Sequence, residues 1–212
     1  MPPEQQLPSA GTDPRTDEEL VRVMQSRETA DQERNRAFDE LMNRHKDGLF
    51  QSVYNWVRPR GTLHDAEEIV LETFVRFWKN VASFQFKSAV YTYIYRIALN
   101  ATLNFLRTPS MKGDPVVPLE DVEHALPADE DIERSVEKGM DQEQLRSMVA
   151  RVLEAMPPGQ RIAFMLAVYE HKSYREIAEI MDTSVASVES LLFRARQQLK
   201  KVAERGILGK PR

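Results

Sequence analysis

The stretch YREIAEIMDTSVASVESLLFRARQQLK, Tyr174 to Lys200, carries two helical patterns separated by a small polar turn. Ser173 followed by Glu176 makes a capping-box pair and predicts a helix start at Tyr174. Ile177, Ala178 and Met181 give that short helix an apolar face. Asp182-Thr183-Ser184 suits a tight turn and caps a second helix from about Val185. In the second helix Val188, Leu191, Leu192, Ala195 and Leu199 fall inward. Ser187, Ser190, Arg194 and Gln197 fall on the opposite side, flanked by Arg196 and Lys200. Short helix, brief turn, then a longer helix with polar and basic residues outward is the helix-turn-helix layout, whose second helix enters the major groove. A helical hairpin with a solvated charged face fits the same periodicity.

Working outward, the chain reads as helical from Asp17 almost without interruption. Leu20, Val21 and Met24 begin one apolar stripe, continued by Phe38, Leu41 and Met42 and then by Leu49, Phe50, Val53 and Trp56. Arg58-Pro59-Arg60-Gly61 breaks it. A second helix begins near His64 with Asp65, Glu67 and Glu68 in its first turn, where carboxylates suit the dipole. Ile69, Val70, Phe74, Phe77 and Trp78 are its apolar positions, and a third long helix runs from about Tyr91 to Arg107. Thr108 to Gln144 holds four prolines and a run of acids, a linker composition. Periodicity resumes at Leu145, Met148, Val149, Val152 and Leu153, is interrupted by Pro157-Pro158-Gly159, and continues at Ile162, Ala163, Leu166 and Ala167. The expected fold is all-α: two small helical domains on a flexible acidic linker, the second a helix-turn-helix. The expected divisions are a disordered tail at 1–16, a first domain at 17–107, the linker at 108–144, a second domain at 145–205, and a tail at 206–212.

Composition narrows the function classes. The chain has 212 residues, 42% hydrophobic and 29% charged, with no cysteine. The absence of thiols removes disulfides, thiolate metal sites and cysteine nucleophiles together. No apolar run is long enough to span a bilayer, and the first twenty residues lack a signal-peptide pattern, so a cytoplasmic protein without membrane insertion is expected. His45, His64, His124 and His171 are scattered without metal-ligand spacing, and no glycine-rich phosphate loop or nucleophile elbow is present. No enzyme, catalytic residue, metal or cofactor is expected. The net charge of −4 is the wrong sign for a free-standing DNA binder.

The Tyr91–Arg107 segment separates into faces. Ile94, Ile97, Ala98, Ala101 and Phe105 form an apolar stripe. Tyr93, Arg96, Asn100, Asn104 and Arg107 form a polar face whose amides, guanidinium groups and aromatic ring suit splayed bases and phosphates. A solvated amphipathic face has the same pattern.

Two motif sets tie these faces together. LEAMPPGQRIAFMLAVYE, SYREIAEIMDTSVASV and LLFRARQQL resemble the promoter-reading domain of the extracytoplasmic-function (ECF) sigma factors of bacterial RNA polymerase. DAEEIVLETFVRFWKN followed by SFQFKSAVYTYIYRIALNATLNFLR resembles the other domain of that family, in the same order. The resemblance covers Asp17 to Ala203 and implies a two-domain transcription initiation factor, acting in a stress or envelope response.

The resemblance also implies site roles. Ser187, Ser190, Phe193, Arg194 and Arg196 occupy the positions of the −35-reading helix. Phe84, Ile97, Ala98 and Asn100 fall where the family pockets a flipped −10 base, with Asn80 beside them and Tyr93 in place of a usual tryptophan. Asp65, Glu68 and Glu72 fall where the family meets a coiled coil of the polymerase's largest subunit, and Leu71 replaces a usual glutamine. Core polymerase (also through its flap), promoter DNA and an anti-sigma factor are the implied partners. Glu189 and Leu191 stand where basic residues are usual. A carboxylate there repels phosphate but can accept a hydrogen bond from cytosine N4, so two outcomes stay open: an unusual −35 sequence or weak −35 binding.

Fully extended, the linker could approach ~120 Å, whereas promoter boxes about 17 base pairs apart are separated by ~58 Å. By resemblance the linker threads a basic channel of polymerase; a plain solvated spacer is the other reading. Polymerase would then supply the nonspecific DNA affinity that an acidic chain lacks. The rival reading is a stand-alone helix-turn-helix regulator with an N-terminal sensing or dimerisation domain.

Overall fold

Thr16 opens the first helix: its hydroxyl accepts from the Glu19 amide at 3.2 Å while the Glu19 carboxylate accepts from the Thr16 amide at 2.7 Å. In the computed structural model, which describes residues 13–58, 60–108 and 142–208 (side chains through 202, from 147 in the last stretch), this helix is α1, Asp17–Gln25. It is followed by α2 (Asp31–Val57), α3 (Leu63–Asn80), a 3-10 turn (Val81–Ser83) and α4 (Val90–Arg107). The second half contains α5 (Gln142–Ala155), α6 (Pro158–Val168), α7 (Tyr174–Ile180) and α8 (Val185–Leu208). Among the described residues there is no strand, and no helix is long and apolar enough to cross a membrane.

Some expected boundaries move. Residues 13–16 are not a loose tail. Arg44 donates to the Arg15 carbonyl at 2.8 Å and to the Asp13 carbonyl at 2.5 Å, and Arg15 pairs with Glu33 at 2.8 Å. The remaining tail, residues 1–12, and most of the expected linker, residues 109–141, lie outside the described residues. The helix α5 begins at Gln142, inside the segment expected as linker, and α8 runs on to Leu208. The stripe read as continuous from Leu20 breaks between α1 and α2 without glycine or proline. Tertiary bonds hold the break: the Gln25 amide donates to the Val81 and Phe84 carbonyls, each at 2.8 Å, and Arg34 caps the Met24 carbonyl at 3.1 Å.

The first four helices close on Leu20, Met24, Leu41, Leu49, Phe74, Phe77 and Ile94, all fully or almost fully buried. Gly61 sets the α2–α3 corner. A Cβ there would lie 2.9 Å from Val57 Cβ and 3.0 Å from Phe105 Cε1, so only glycine allows that approach.

The second half was expected to bury one stripe of α6. Every residue from Gln160 to Leu166 is buried. One side of α6 packs on α7 and α8, and another packs on α2. The two halves therefore share one apolar core, in which α7 also rests on α4. Polar contacts mark the seam. Arg161 Nη2 donates to the Trp56 carbonyl at 2.8 Å, Arg96 pairs with Asp182 at 2.7 Å, and Lys172 Nζ stands 4.5 Å from the Tyr91 ring centre.

Candidate nucleic-acid interface

The helix-turn-helix is built by local chemistry. Ser173 Oγ accepts from the Glu176 amide at 3.3 Å, and the Glu176 carboxylate accepts from the Ser173 amide at 2.8 Å, closing the expected capping box. The Ser173 hydroxyl, donating to the Glu176 carboxylate at 2.7 Å, and next the Ser173 amide hold that carboxyl below the usual glutamate range. Asp182 takes a left-handed backbone, φ 51°, and the Thr183 amide reaches back to the Ala178 carbonyl at 2.9 Å, ending α7 abruptly. Ser184 Oγ then accepts from the Ser187 amide at 3.2 Å and starts α8.

On α8, Val188, Leu192, Ala195 and Leu199 are buried and Leu191 is half-buried. Ser187, Ser190, Phe193, Arg194 and Arg196 are all exposed, as is Glu189. Arg194 Nε donates to the Ser190 carbonyl at 3.1 Å, and Arg196 reaches Tyr174 Oη at 3.4 Å. The guanidinium groups are thus anchored while their faces remain open. Phe193 is 63% exposed, an apolar ring in solvent on an otherwise polar face.

The α4 face is more divided. Asn100, Asn104 and Arg107 are exposed, as is Asn80, whose amide donates to the Arg76 carbonyl at 2.8 Å. Tyr93 and Ile97 are half-buried, Phe84 is nearly buried, and Ala98 has no accessible surface. Tyr93 stacks 4.8 Å from Phe84, and Phe86 covers Phe84 from 5.0 Å. Ala98 therefore shapes the packing behind the face, while Asn100 and Asn104 present groups to solvent. Arg96, half-buried, is engaged by its ion pair with Asp182. A cleft of about 590 Å³ opens beside that pair, lined by Lys87, Ser88, Arg96 and Arg175 with Glu179 and Asp182.

The opposite side of α4 was not legible from the sequence. Tyr95 is buried, its hydroxyl 2.8 Å from Ser52 Oγ and its ring edge-on to Trp56 at 5.9 Å. Burial pushes the Tyr95 hydroxyl up. Burial also pushes up the half-buried Glu170 carboxyl at the same seam, against the lowering influence of Ser52, Lys172, Tyr95 and Trp56. Arg161, 3% exposed, is brought down to about 10, chiefly by burial and next by the Arg60 charge.

On α3, Asp65 spends its carboxylate on the Thr62 cap, accepting from the Thr62 amide at 2.7 Å. Glu68 lies 3.3 Å from His64, and Glu72 pairs with Arg76 at 2.6 Å; these surface pairs are weak and leave the acids open to water. Leu71 is 64% exposed, and Val75 one turn on is also exposed. Sequence reading singled out Leu71 but missed Val75. Its position off the Ile69–Phe74–Phe77 stripe, four residues from Leu71, was the available signal. Among the described residues no cluster of histidine and acid side chains could hold a metal ion.

Comparison with known proteins agrees with this layout. A family model for Sigma-70 region 2 matches residues 41–110, and one for Sigma-70, region 4 matches residues 146–199. The chain is 35% identical over 188 residues to the ECF RNA polymerase sigma-E factor of Salmonella typhimurium, covering 87% of this chain and 92% of that one. It is 32% identical over 178 residues to the RNA polymerase sigma-H factor of Pseudomonas aeruginosa, covering 80% and 87%. Two solved structures share the fold. CnrH in complex with the cytosolic domain of CnrY has a TM-score of 0.56 at 22% identity, covering 89% of this chain and 97% of that chain. The sigma factor RpoE in complex with the anti-sigma factor NepR from Bartonella quintana has a TM-score of 0.51 at 16% identity, covering 78% and 98%.

Proposed function

Because the chain belongs to the ECF sigma factors of RNA polymerase, we propose that its two exposed faces divide promoter recognition between them. The chain is a transcription initiation factor, which disfavours the reading as a stand-alone regulator. The α8 face, with Ser187, Ser190, Phe193, Arg194 and Arg196, reads the −35 element in the major groove. The arginines supply donors to base edges and phosphates, and Phe193 supplies an apolar contact of the kind that suits a thymine methyl. The α4 face, with Asn80, Asn100, Asn104 and Arg107, meets the separated −10 strand; Phe84, Tyr93, Ile97 and Ala98 form the packed layer behind it. Extruding a base costs a few kcal/mol of stacking, which a shaped and rigid receiver must recover.

Glu68, Leu71 and Glu72 meet core polymerase, joined by Val75, while Asp65 holds the helix end that presents them. An apolar pair bordered by acids suits a partner surface that is itself apolar and basic. The same acids explain the negative net charge: polymerase brings the nonspecific DNA affinity. An anti-sigma protein is a further partner, a reading supported by the complexes in which CnrH and RpoE were solved. The chain acts in the cytoplasm, where polymerase is, and performs no chemistry of its own.

The single observation that carries this reading is the pairing, in the expected order, of a polar amide face on α4 with a basic reading helix on α8. In vitro transcription with purified core enzyme on genomic fragments tests it. Discrete start sites preceded by shared −35 and −10 elements are expected, and Arg194→Ala should weaken initiation most at promoters with an intact −35. Equal transcription of intact and scrambled −35 promoters by parent and variant would remove the α8 assignment.

A further inference from the structure

We propose that Arg60, at the corner between α2 and α3, is a phosphate contact that carries the α4 DNA face onward into the duplex upstream of the −10 element. The inference rests on the reading of α4 given above. Asn100, Asn104 and Arg107 are exposed on α4, and Arg107 stands in its last turn. Arg60 Nη1 donates to the Leu106 carbonyl at 3.4 Å, so the corner guanidinium lies at the end of that same helix. Arg60 and Arg107 are both exposed, and among the described residues neither pairs with a carboxylate. Arg15, Arg34, Arg44, Arg76 and Arg96, by contrast, each have an acid partner. The Arg60 charge is felt at the corner, where it ranks next to burial in lowering Arg161, against the raising influence of Glu154.

The corner is stiff. The Arg60 and Gly61 amides both donate to the Val57 carbonyl at 2.8 Å, and Gly61 fits where no Cβ would. The Leu106 carbonyl holds one donor of a group that has five, which leaves the rest of the guanidinium for a second acceptor. A simple cap on the α4 end is the competing role, since leftover carbonyls attract a cation. The Thr108 amide already serves the Asn104 and Phe105 carbonyls, and 3.4 Å is long for a hydrogen bond, so a cap makes weak use of Arg60. Phosphate oxygens suit an open guanidinium better. Helix rise places the phosphate. From Asn100 to Arg107 the axis advances about 10 Å at 1.5 Å per residue. That is about three base-pair steps at 3.4 Å each. The chain leaves α4 at Thr108 toward the half assigned to the −35 element, which lies upstream. Arg60 therefore falls about three to four steps upstream of the captured base.

The test uses core polymerase with the full chain on a forked promoter fragment, duplex upstream of an unpaired −10 strand, with affinity measured across a salt series. Arg60→Gln should flatten the slope of log affinity against log salt by about 0.9 and weaken binding about eightfold at about 0.1 M salt, the worth of one neutralised phosphate. Arg60→Lys should keep the slope. Arg36→Gln, an equal loss of charge about 30 Å away along α2, should leave it unchanged. Neutral methylphosphonates about three to four steps upstream of the captured base should remove the difference between the parent and Arg60→Gln. A −10 base substitution should weaken both proteins by the same factor; unequal factors would mean base reading and overturn the assignment. It is also overturned if Arg60→Gln keeps the parent's salt slope, or if its defect survives the neutral linkages. A lower melting temperature of the free chain with an unchanged slope would reduce Arg60 to a helix cap. If the parent complex itself shows no preference for a −10 sequence, the promoter reading fails and this assignment with it.

Discussion

The Tyr93 ring lies 4.8 Å from the Phe84 ring at a tilt of 30°, so the aromatic assigned to the −10 region is already stacked inside the protein. Phe77 adds a second contact at 6.1 Å. Tyr93→Phe should keep both contacts and leave initiation nearly intact. Tyr93→Ala should cost about 1–3 kcal/mol of stability, less than a fully buried aromatic because the ring is half exposed. It should also reduce open-complex formation, read by permanganate reactivity of −10 thymines.

Asn100 is exposed on α4, and its amide can both donate and accept. Asn100→Ala should lower open-complex formation about tenfold while holoenzyme assembly changes less than twofold. Gel-shift titration of core enzyme alongside promoter opening separates the two, and equal loss of both would count against base capture.

Glu189 sits in the exposed face of α8 among residues assigned to the major groove. Glu189→Lys should steepen the dependence of log affinity on log salt by about 1–2, through added phosphate neutralisation. Should the present carboxylate accept from a cytosine amino group, the same variant will lose discrimination at one −35 position. A salt series on duplexes varied base by base reads both effects.

Gly61 has no room for a methyl group against Val57 and Phe105. Gly61→Ala should destabilise the first domain by about 1–3 kcal/mol, as overpacking does, lowering the melting temperature by roughly 3–10 °C. Phe105→Leu in the same background should recover part of the loss.

Glu170 gives the seam a pH dependence. Burial raises its carboxyl, opposed by Ser52, Lys172, Tyr95 and Trp56. An acid whose value is higher folded than unfolded takes up a proton on folding. Its contribution to stability therefore grows as pH falls through the raised value and levels off below the ordinary glutamate value. Above both, the ionised group opposes folding. The melting temperature should gain from this group on acidification from about pH 7.5 to 5, and Glu170→Gln should flatten that gain.

Local chemistry was legible in the sequence and long-range packing was not. Ser173 with Glu176, and Ser184 at the start of α8, announce themselves because a cap needs only residues three apart. The outward set on α8 followed from the 3.6-residue period alone. By contrast, the α1–α2 break depends on Gln25 reaching carbonyls nearly sixty positions away, and no glycine or proline marks it. Nothing in the sequence marks Arg161 or Tyr95, because the groups they meet, the Trp56 carbonyl for one and Ser52 for the other, lie far along the chain. The divided α4 face has the same origin. Periodicity separates Asn100, Asn104 and Arg107 from the core correctly, but cannot say that Tyr93 will stack on Phe84 and Phe77, or that a turn from the other half of the chain will claim Arg96.

The single apolar core that runs through both halves has a consequence for how the chain comes apart. Loosening either half exposes the surface that steadies the other, so heat should melt the whole molecule in one cooperative step.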